Sequence, residues 1–227
     1  TVKFDVKPAS PEALETARRT LSEAGIASDS KILLGGSTWQ AEETAIAEAW
    51  HHAREVTPGL RLVIVPRHAE RGDEVERELA EAGFKTIRRS RMKKGSDPNS
   101  GDQDAILLVD TTGELFPLYS LADIVFVGKT LAPNIGGQNM IEPASAGRAV
   151  IVGPNTQNFA SVMDLFREKC AILEIQDAVE LKQAVMRLCG DTATSMALGE
   201  KARAVVEGQR GALGRSAEAI LAQLDKC

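Results

Sequence analysis

Six short, nearly unbroken runs of Val, Ile and Leu, set apart by stretches of helical period, constrain this chain most. They are Lys31–Gly35, Leu60–Pro66, Phe84–Ile87, Ala105–Val109, Ile124–Val127 and Ala149–Val152. A strand that alternates apolar and polar residues covers one wet face. A strand apolar throughout must be buried on both, as in a parallel sheet covered by helices. The intervening stretches read as those helices. From about Ala41 to Val56, Ile46, Ala49, Trp50 and Ala53 fall on one face, and Val75, Leu79 and Ala82 repeat the pattern. Ser10-Pro11 reads as a helix start and Gly25 as its stop. Asp177 and Glu180 read as a capping box before Leu181, Val185 and Leu188. Leu213, Ala217, Ile220 and Leu224 make a last stripe. Strands alternating with helices imply βαβ units. The expectation is one α/β domain over residues 1–227, a doubly wound parallel sheet, with C-terminal helices from about residue 191. The polar stretch 90–104 should be a loop.

Composition narrows the function classes. The 227 residues carry a net charge of -5 and a pI of about 5.4, unlike a nucleic-acid binder. Three distant cysteines, Cys170, Cys189 and Cys227, include no CxxC pair, and three histidines add no metal-ligand spacing. No metal is expected, and Cys170 and Cys189 read as core or near-core residues. No run reaches the roughly 18 apolar residues of a membrane span. Nothing reads as a leader, and a start at Thr1 is expected of a piece cut from a longer protein.

In open parallel sheets, ligands bind outside the carboxyl ends of the strands. That rule selects Gly36-Ser37-Thr38, Arg67-His68, Asp110 to Glu114, and Gly128 to Gln138. The last loop is the richest. Gly136-Gly137 would let backbone approach a ligand closely, and a helix from near Asn139 would present its N–H groups to an anion. Glu142, one turn in, is suited to a ribose diol. The plain alternative is a β–loop–α turn with a solvated Glu. Pro66-Arg67 offers a guanidinium fork for a base edge or phosphate, or else a surface ion pair. Thr112-Gly113-Glu114 could face a nucleotide, or Thr111 or Thr112 could merely cap a helix. Lys85, Arg88, Arg89, Arg91, Lys93 and Lys94 form a basic run. Such runs are usually solvated; otherwise Arg88-Arg89-Ser90 faces the crevice and the rest meets anionic headgroups or phosphates. His51 and His52 read as surface or packing residues. Gly35-Gly36-Ser37 lacks the GxGxxG spacing, and no acidic residue ends the second strand, which argues against a nicotinamide site.

In order, Ser37-Thr38 with Glu42-Glu43, Pro66-Arg67-His68 with Glu70-Arg71, Arg88-Arg89-Ser90, Asp110 to Leu115, Phe126-Val127-Gly128, Gly136 to Pro143 and Gly153 to Phe159 resemble one family. It is the C-terminal half of bacterial 3-deoxy-D-manno-octulosonic acid (Kdo) transferases, and the similarity runs nearly the whole chain. The resemblance implies half of a GT-B glycosyltransferase, Rossmann-like, that binds CMP-Kdo as substrate and needs no metal or other cofactor. It implies donor contacts from Pro66, Arg67, Thr112, Gly113, Glu114, Asn139, Met140, Ile141 and Glu142. Ser37, Lys129, Gly136, Gly137 and Gln138 would contact phosphate or sugar. No catalytic residue is expected here. The general base, the lipid A precursor site and the membrane-associating surface are implied for an N-terminal half, at the cytoplasmic face of the inner membrane. No nucleic-acid partner is implied. The family usually has His for Gln138, Gly-Ser for Lys129-Thr130 and His for Trp39. Rival readings are a UDP-sugar domain of another GT-B enzyme or epimerase, and a non-catalytic nucleotide-binding module.

Overall fold

A computed structural model of the chain describes residues 4–92, 102 and 104–210. The C-terminal stripe from Leu213 to Leu224, Lys93, Lys94 and Cys227 lie outside them. The elements are α1 (Pro11–Glu23), β1 (Ile32–Thr38), α2 (Glu42–Ala53), β2 (Arg61–Pro66), α3 (Gly72–Glu81), β3 (Lys85–Arg88), β4 (Ala105–Leu108), α4 (Leu115–Tyr119), β5 (Ile124–Val127), α5 (Ile141–Ser145), β6 (Ala149–Val152), α6 (Ala160–Glu168), β7 (Leu173–Glu174), α7 (Ala178–Gly190) and α8 (Thr192–Gln209). Seven strands form one sheet in the order β3-β4-β2-β1-β5-β6-β7, with every pairing parallel. The expected doubly wound α/β sheet is therefore present.

Strand alternation divides the core in two. Leu34, Val63, Leu107, Val125, Val127 and Val152 face one side, where Leu21, Leu118, Ile141, Phe166 and Val206 of α1, α4, α5, α6 and α8 cover them. Leu33, Leu62, Ile64, Leu108, Ile124 and Phe126 face the other, against Ile46, Trp50, Leu79, Leu181 and Leu188 of α2, α3 and α7. The chain leaves β1 toward β2 and later crosses back to place β5 on β1's other flank. The winding direction therefore switches between β1 and β5, which opens a crevice at their carboxyl ends.

Local signals held to different degrees. Ser10 caps α1 by accepting from the Ala13 N–H at 3.2 Å, with proline at the first position. Asp177 accepts from the Val179 and Glu180 N–H groups, but Glu180 reaches the Gln176 N–H and not that of Asp177, so the box closes one residue early. Cys189 is buried as expected, whereas Cys170 is exposed, at a left-handed turn after α6 (φ 47°). The basic run is not a uniformly solvated face. The Arg88 side chain is only 9% exposed and donates to Asp110, Asp73 and Glu76. A side chain at Gly72 would collide with that guanidinium, so a glycine stands where it passes.

Candidate functional site

The crevice is built from close backbone approaches. A Cβ on Gly36, near the end of β1, would lie 2.5 Å from the Tyr119 hydroxyl. One on Gly128, just past β5, would lie 2.3 Å from the Ser37 carbonyl oxygen. Only glycine lets these loops close on each other. Between them the chain turns sharply: Ser37, Ala41 and Lys129 all have positive φ, at 53°, 72° and 60°. Three of the four non-glycine residues in that region, among those described, thus sit around one crevice. Strain of this kind gathers at functional sites.

Glu42, the first residue of α2, fixes the arrangement. Its buried carboxylate accepts from the backbone N–H groups of Trp39, Lys129, Thr130 and Leu131, at 2.8–3.0 Å. Burial raises its pKa, and the four donors oppose that shift. Neighbouring Glu43 is also buried, and burial lifts it to about 7 although Arg71 donates to it at 2.8 Å. Glu42-Glu43 belonged to the sequence series without an assigned role. Two carboxylates in the first turn of a helix whose next residues are core mark the pair, but not the N–H groups that Glu42 accepts from.

Past Lys129 the loop returns upon itself. The Gly137 N–H donates to the Lys129 carbonyl (2.8 Å), and the Gln138 N–H to that of Gly128 (3.2 Å). Gly136 and Gly137 have φ of 112° and 79°, so both need glycine. The loop ends in Asn139, whose Oδ1 accepts from the Ile141 N–H and whose Nδ2 donates to Glu142 Oε1, both at 3.0 Å. The helix expected to begin near Asn139 begins at Ile141 and is five residues long, with one of its first amides already taken by Asn139. So short a helix offers fewer free N–H groups to an anion than one beginning at Asn139 would. The side chains of Met140 and Ile141 are buried in the core, leaving only their backbone for a ligand. Glu142 is half-buried, and burial raises its pKa against the Asn139 hydrogen bond. Tyr119, the chain's one tyrosine, is fully buried beside Ser37, its pKa raised by burial and by the Glu142 charge.

The remaining candidates share this sheet edge but differ in availability. Arg67 follows β2, where its N–H donates to the Thr38 carbonyl at 3.0 Å. Its exposed guanidinium has no hydrogen bond or ion pair among the described residues. Thr112 and Gly113 are exposed, with Gly113 at φ 85°. Glu114 is engaged: it accepts from Thr20, Thr111 and Arg89, tying its turn to α1 and the end of β3. Neither Thr111 nor Thr112 caps α4, whose N-cap is Glu114. Ser90 likewise donates to Asp110, so Arg88-Arg89-Ser90 is a scaffold around Asp110 and Glu114 and not a row of free cations. Lys129 is different. Its ammonium lies 4.4 Å from the Trp39 ring centroid, and the Trp39 ring meets His68 edge-on at 5.3 Å. Among the described residues no group of three or more His, Cys, Asp or Glu is placed to hold a metal ion. No helix among them is long and apolar enough to cross a membrane.

No family model matches the chain. Curated relatives do. A 3-deoxy-D-manno-octulosonic acid transferase of Bordetella pertussis is 34% identical over 224 residues, covering 97% of this chain and 50% of the relative. That of Haemophilus influenzae is 32% identical over 87% of this chain and 45% of its own length. The chain thus spans about half the length of the curated relatives it matches. Among solved structures, the C-terminal CMP-Kdo binding domain of WaaA from Acinetobacter baumannii superimposes with a TM-score of 0.71 at 27% identity, over 87% of this chain and 99% of that domain. Anabaena HepE in complex with UDP and glucose aligns at a TM-score of 0.59 and 15% identity over 55% of its length, a likeness of fold alone.

Proposed function

The chain belongs to the 3-deoxy-D-manno-octulosonic acid (Kdo) transferase family, and on that premise we propose that it is the half that binds the donor, CMP-Kdo. One observation carries this reading: the chain overlies nearly all of a CMP-Kdo binding domain while spanning only about half of the whole transferases. The crevice fits the role. Arg67 and the exposed Thr112-Gly113 turn hold cytosine and phosphate, with Glu114 fixing the turn. Half-buried Glu142, steadied by Asn139, accepts from the ribose hydroxyls. The Asn139 and Met140 N–H groups, left without an acceptor among the described residues at the end of the glycine loop, meet the negative charge that grows on phosphate as CMP departs.

The reaction proposed for the whole protein is an inverting, metal-independent transfer. An acceptor hydroxyl of a lipid A precursor attacks the Kdo anomeric carbon. The bond from that carbon to the phosphate oxygen breaks, CMP leaves with the electron pair, and the hydroxyl proton passes to a general base on the other half. Binding of the acceptor at the cytoplasmic face of the inner membrane belongs to that half as well.

Calorimetry with CMP, UMP and AMP tests the reading. CMP should bind best. Equal binding of all three nucleotides, or binding of none, would overturn the cytidine assignment, and preference for UMP would move the chain to a UDP-sugar enzyme.

A further inference from the structure

Cations at the carboxyl edge of the sheet fall into two groups. Arg71, Arg88 and Arg89 are each paired with carboxylates. Lys129 and Arg67 have no carboxylate partner among the described residues. Arg67 serves the nucleotide in the function proposed above, which leaves Lys129 to be accounted for.

Lys129 is held with unusual firmness. Its backbone sits in the left-handed region, at φ 60°. Its N–H donates to Glu42 at 2.8 Å, and its carbonyl accepts from Gly137 at 2.8 Å. The same Glu42 oxygen holds the Trp39 N–H at 2.9 Å. One buried carboxylate therefore fixes the separation of the two backbones that carry ammonium and indole. The ammonium lies over the ring at 4.4 Å, with His68 against the ring edge. A carboxylate partner would fix a cation and cancel its charge. An aromatic face fixes it and leaves the charge uncompensated. The Trp39 indole N–H is itself buried and has no acceptor among the described residues. Through the Gly137 hydrogen bond the stack adjoins the paired-glycine loop, the part of the crevice that the donor reading gives to phosphate and sugar.

We propose that Lys129, carried on Trp39 with His68 at the ring edge, is a specificity-determining residue that recognises the carboxylate of the donor's sugar acid. The assignment rests on the donor reading above. It separates two tasks that a positive crevice could merge: Arg67 and the glycine loop grip the nucleotide, and Lys129 reads the sugar.

The test uses the full-length transferase, with KM for CMP-Kdo and inhibition by free CMP measured together. Lys129→Met keeps the length and loses the charge. It should raise KM for CMP-Kdo about tenfold, the lower end for loss of a charge-assisted hydrogen bond. Inhibition by CMP should stay within about twofold of wild type, since only the sugar contact is lost; this also reports that the site is folded. Lys129→Arg should restore most of the donor affinity, and Trp39→Ala should reproduce part of the Lys129→Met loss. If Lys129→Met weakens CMP and CMP-Kdo equally, the cation serves the phosphate and the proposal fails. If it changes neither, Lys129 does not touch the donor and the proposal fails again. Should the wild-type enzyme be inhibited by UMP as well as by CMP, the donor reading itself falls and takes the proposal with it.

Discussion

Glu43 is a carboxylate whose surroundings decide its charge. Its side chain is buried with Arg71 on one oxygen, and burial lifts its pKa from an ordinary 4.5 to about 7. The native protein then holds a proton that the unfolded chain has lost between those values. Stability from this group is highest below about pH 4.5, falls as pH rises toward 7, and is flat above. At about 1.4 kcal/mol per pH unit, the loss between pH 5 and 8 is ~2–3 kcal/mol. Glu43→Gln should lack that slope, because Glu74 still pairs with Arg71. Urea midpoints for both proteins at pH 5 and pH 8 check this, and parallel losses would show that Glu43 is not the titrating group. For Glu142 the proposed role concerns ligand rather than stability. Glu142→Ala should weaken CMP by ~1–3 kcal/mol, the scale for hydrogen bonds to a charge. Calorimetry on a variant of unchanged melting temperature decides it, and unaltered affinity would remove Glu142 from the site.

The crevice is shaped by one element end acting on another: the start of α2 on the loop after β5. Removing the Glu42 carboxylate orphans four N–H groups, those of Thr130 and Leu131 within the protein interior. Each buried donor left unsatisfied costs about 1–3 kcal/mol. Glu42→Ala should therefore destabilise by ~3 kcal/mol or more, and hydrogen exchange should quicken first at residues 129–131. Uniform acceleration across the sheet would argue against a local clamp. This same clamp marks how far the sequence could be read. β5 and β6 were legible to the residue, because Ile124–Val127 and Ala149–Val152 are unbroken apolar runs closed by Gly128 and Gly153. β7 was not, since Leu173–Glu174 is two residues long and leaves no periodic trace. Gly136-Gly137 and Glu142 announced themselves by residue type and place. Glu42 did not, because its acceptor role depends on N–H groups 87 to 89 positions away. The partners of Glu114 were hidden for the same reason, with Thr20 and Arg89 far away along the chain.

At the scale of the molecule, the crevice holds carboxylates with their roles already taken. Glu42 spends both oxygens on backbone, Glu43 faces Arg71, Glu114 is shared by three donors, and Glu142 is bound by Asn139 and assigned to the ribose. Glu42 and Glu43 are also shut off from any acceptor by burial, so none of the four is placed to take a proton from an acceptor hydroxyl. The 227-residue chain by itself should therefore bind donor and not turn it over. Bound CMP at a hundred times its Kd should stabilise it by about 2.7 kcal/mol, visible as a rise in melting temperature. Sugar transfer to a lipid A precursor should be absent until the other half is supplied, and chelation of divalent ions should leave the restored activity unchanged. The informative failure would be transfer by this chain alone. The candidate is then His68, half-exposed at the crevice with Glu70 3.5 Å from its Nδ1. Activity abolished by His68→Ala and spared by Glu142→Gln would place the general base in this half and overturn the division of labour proposed above.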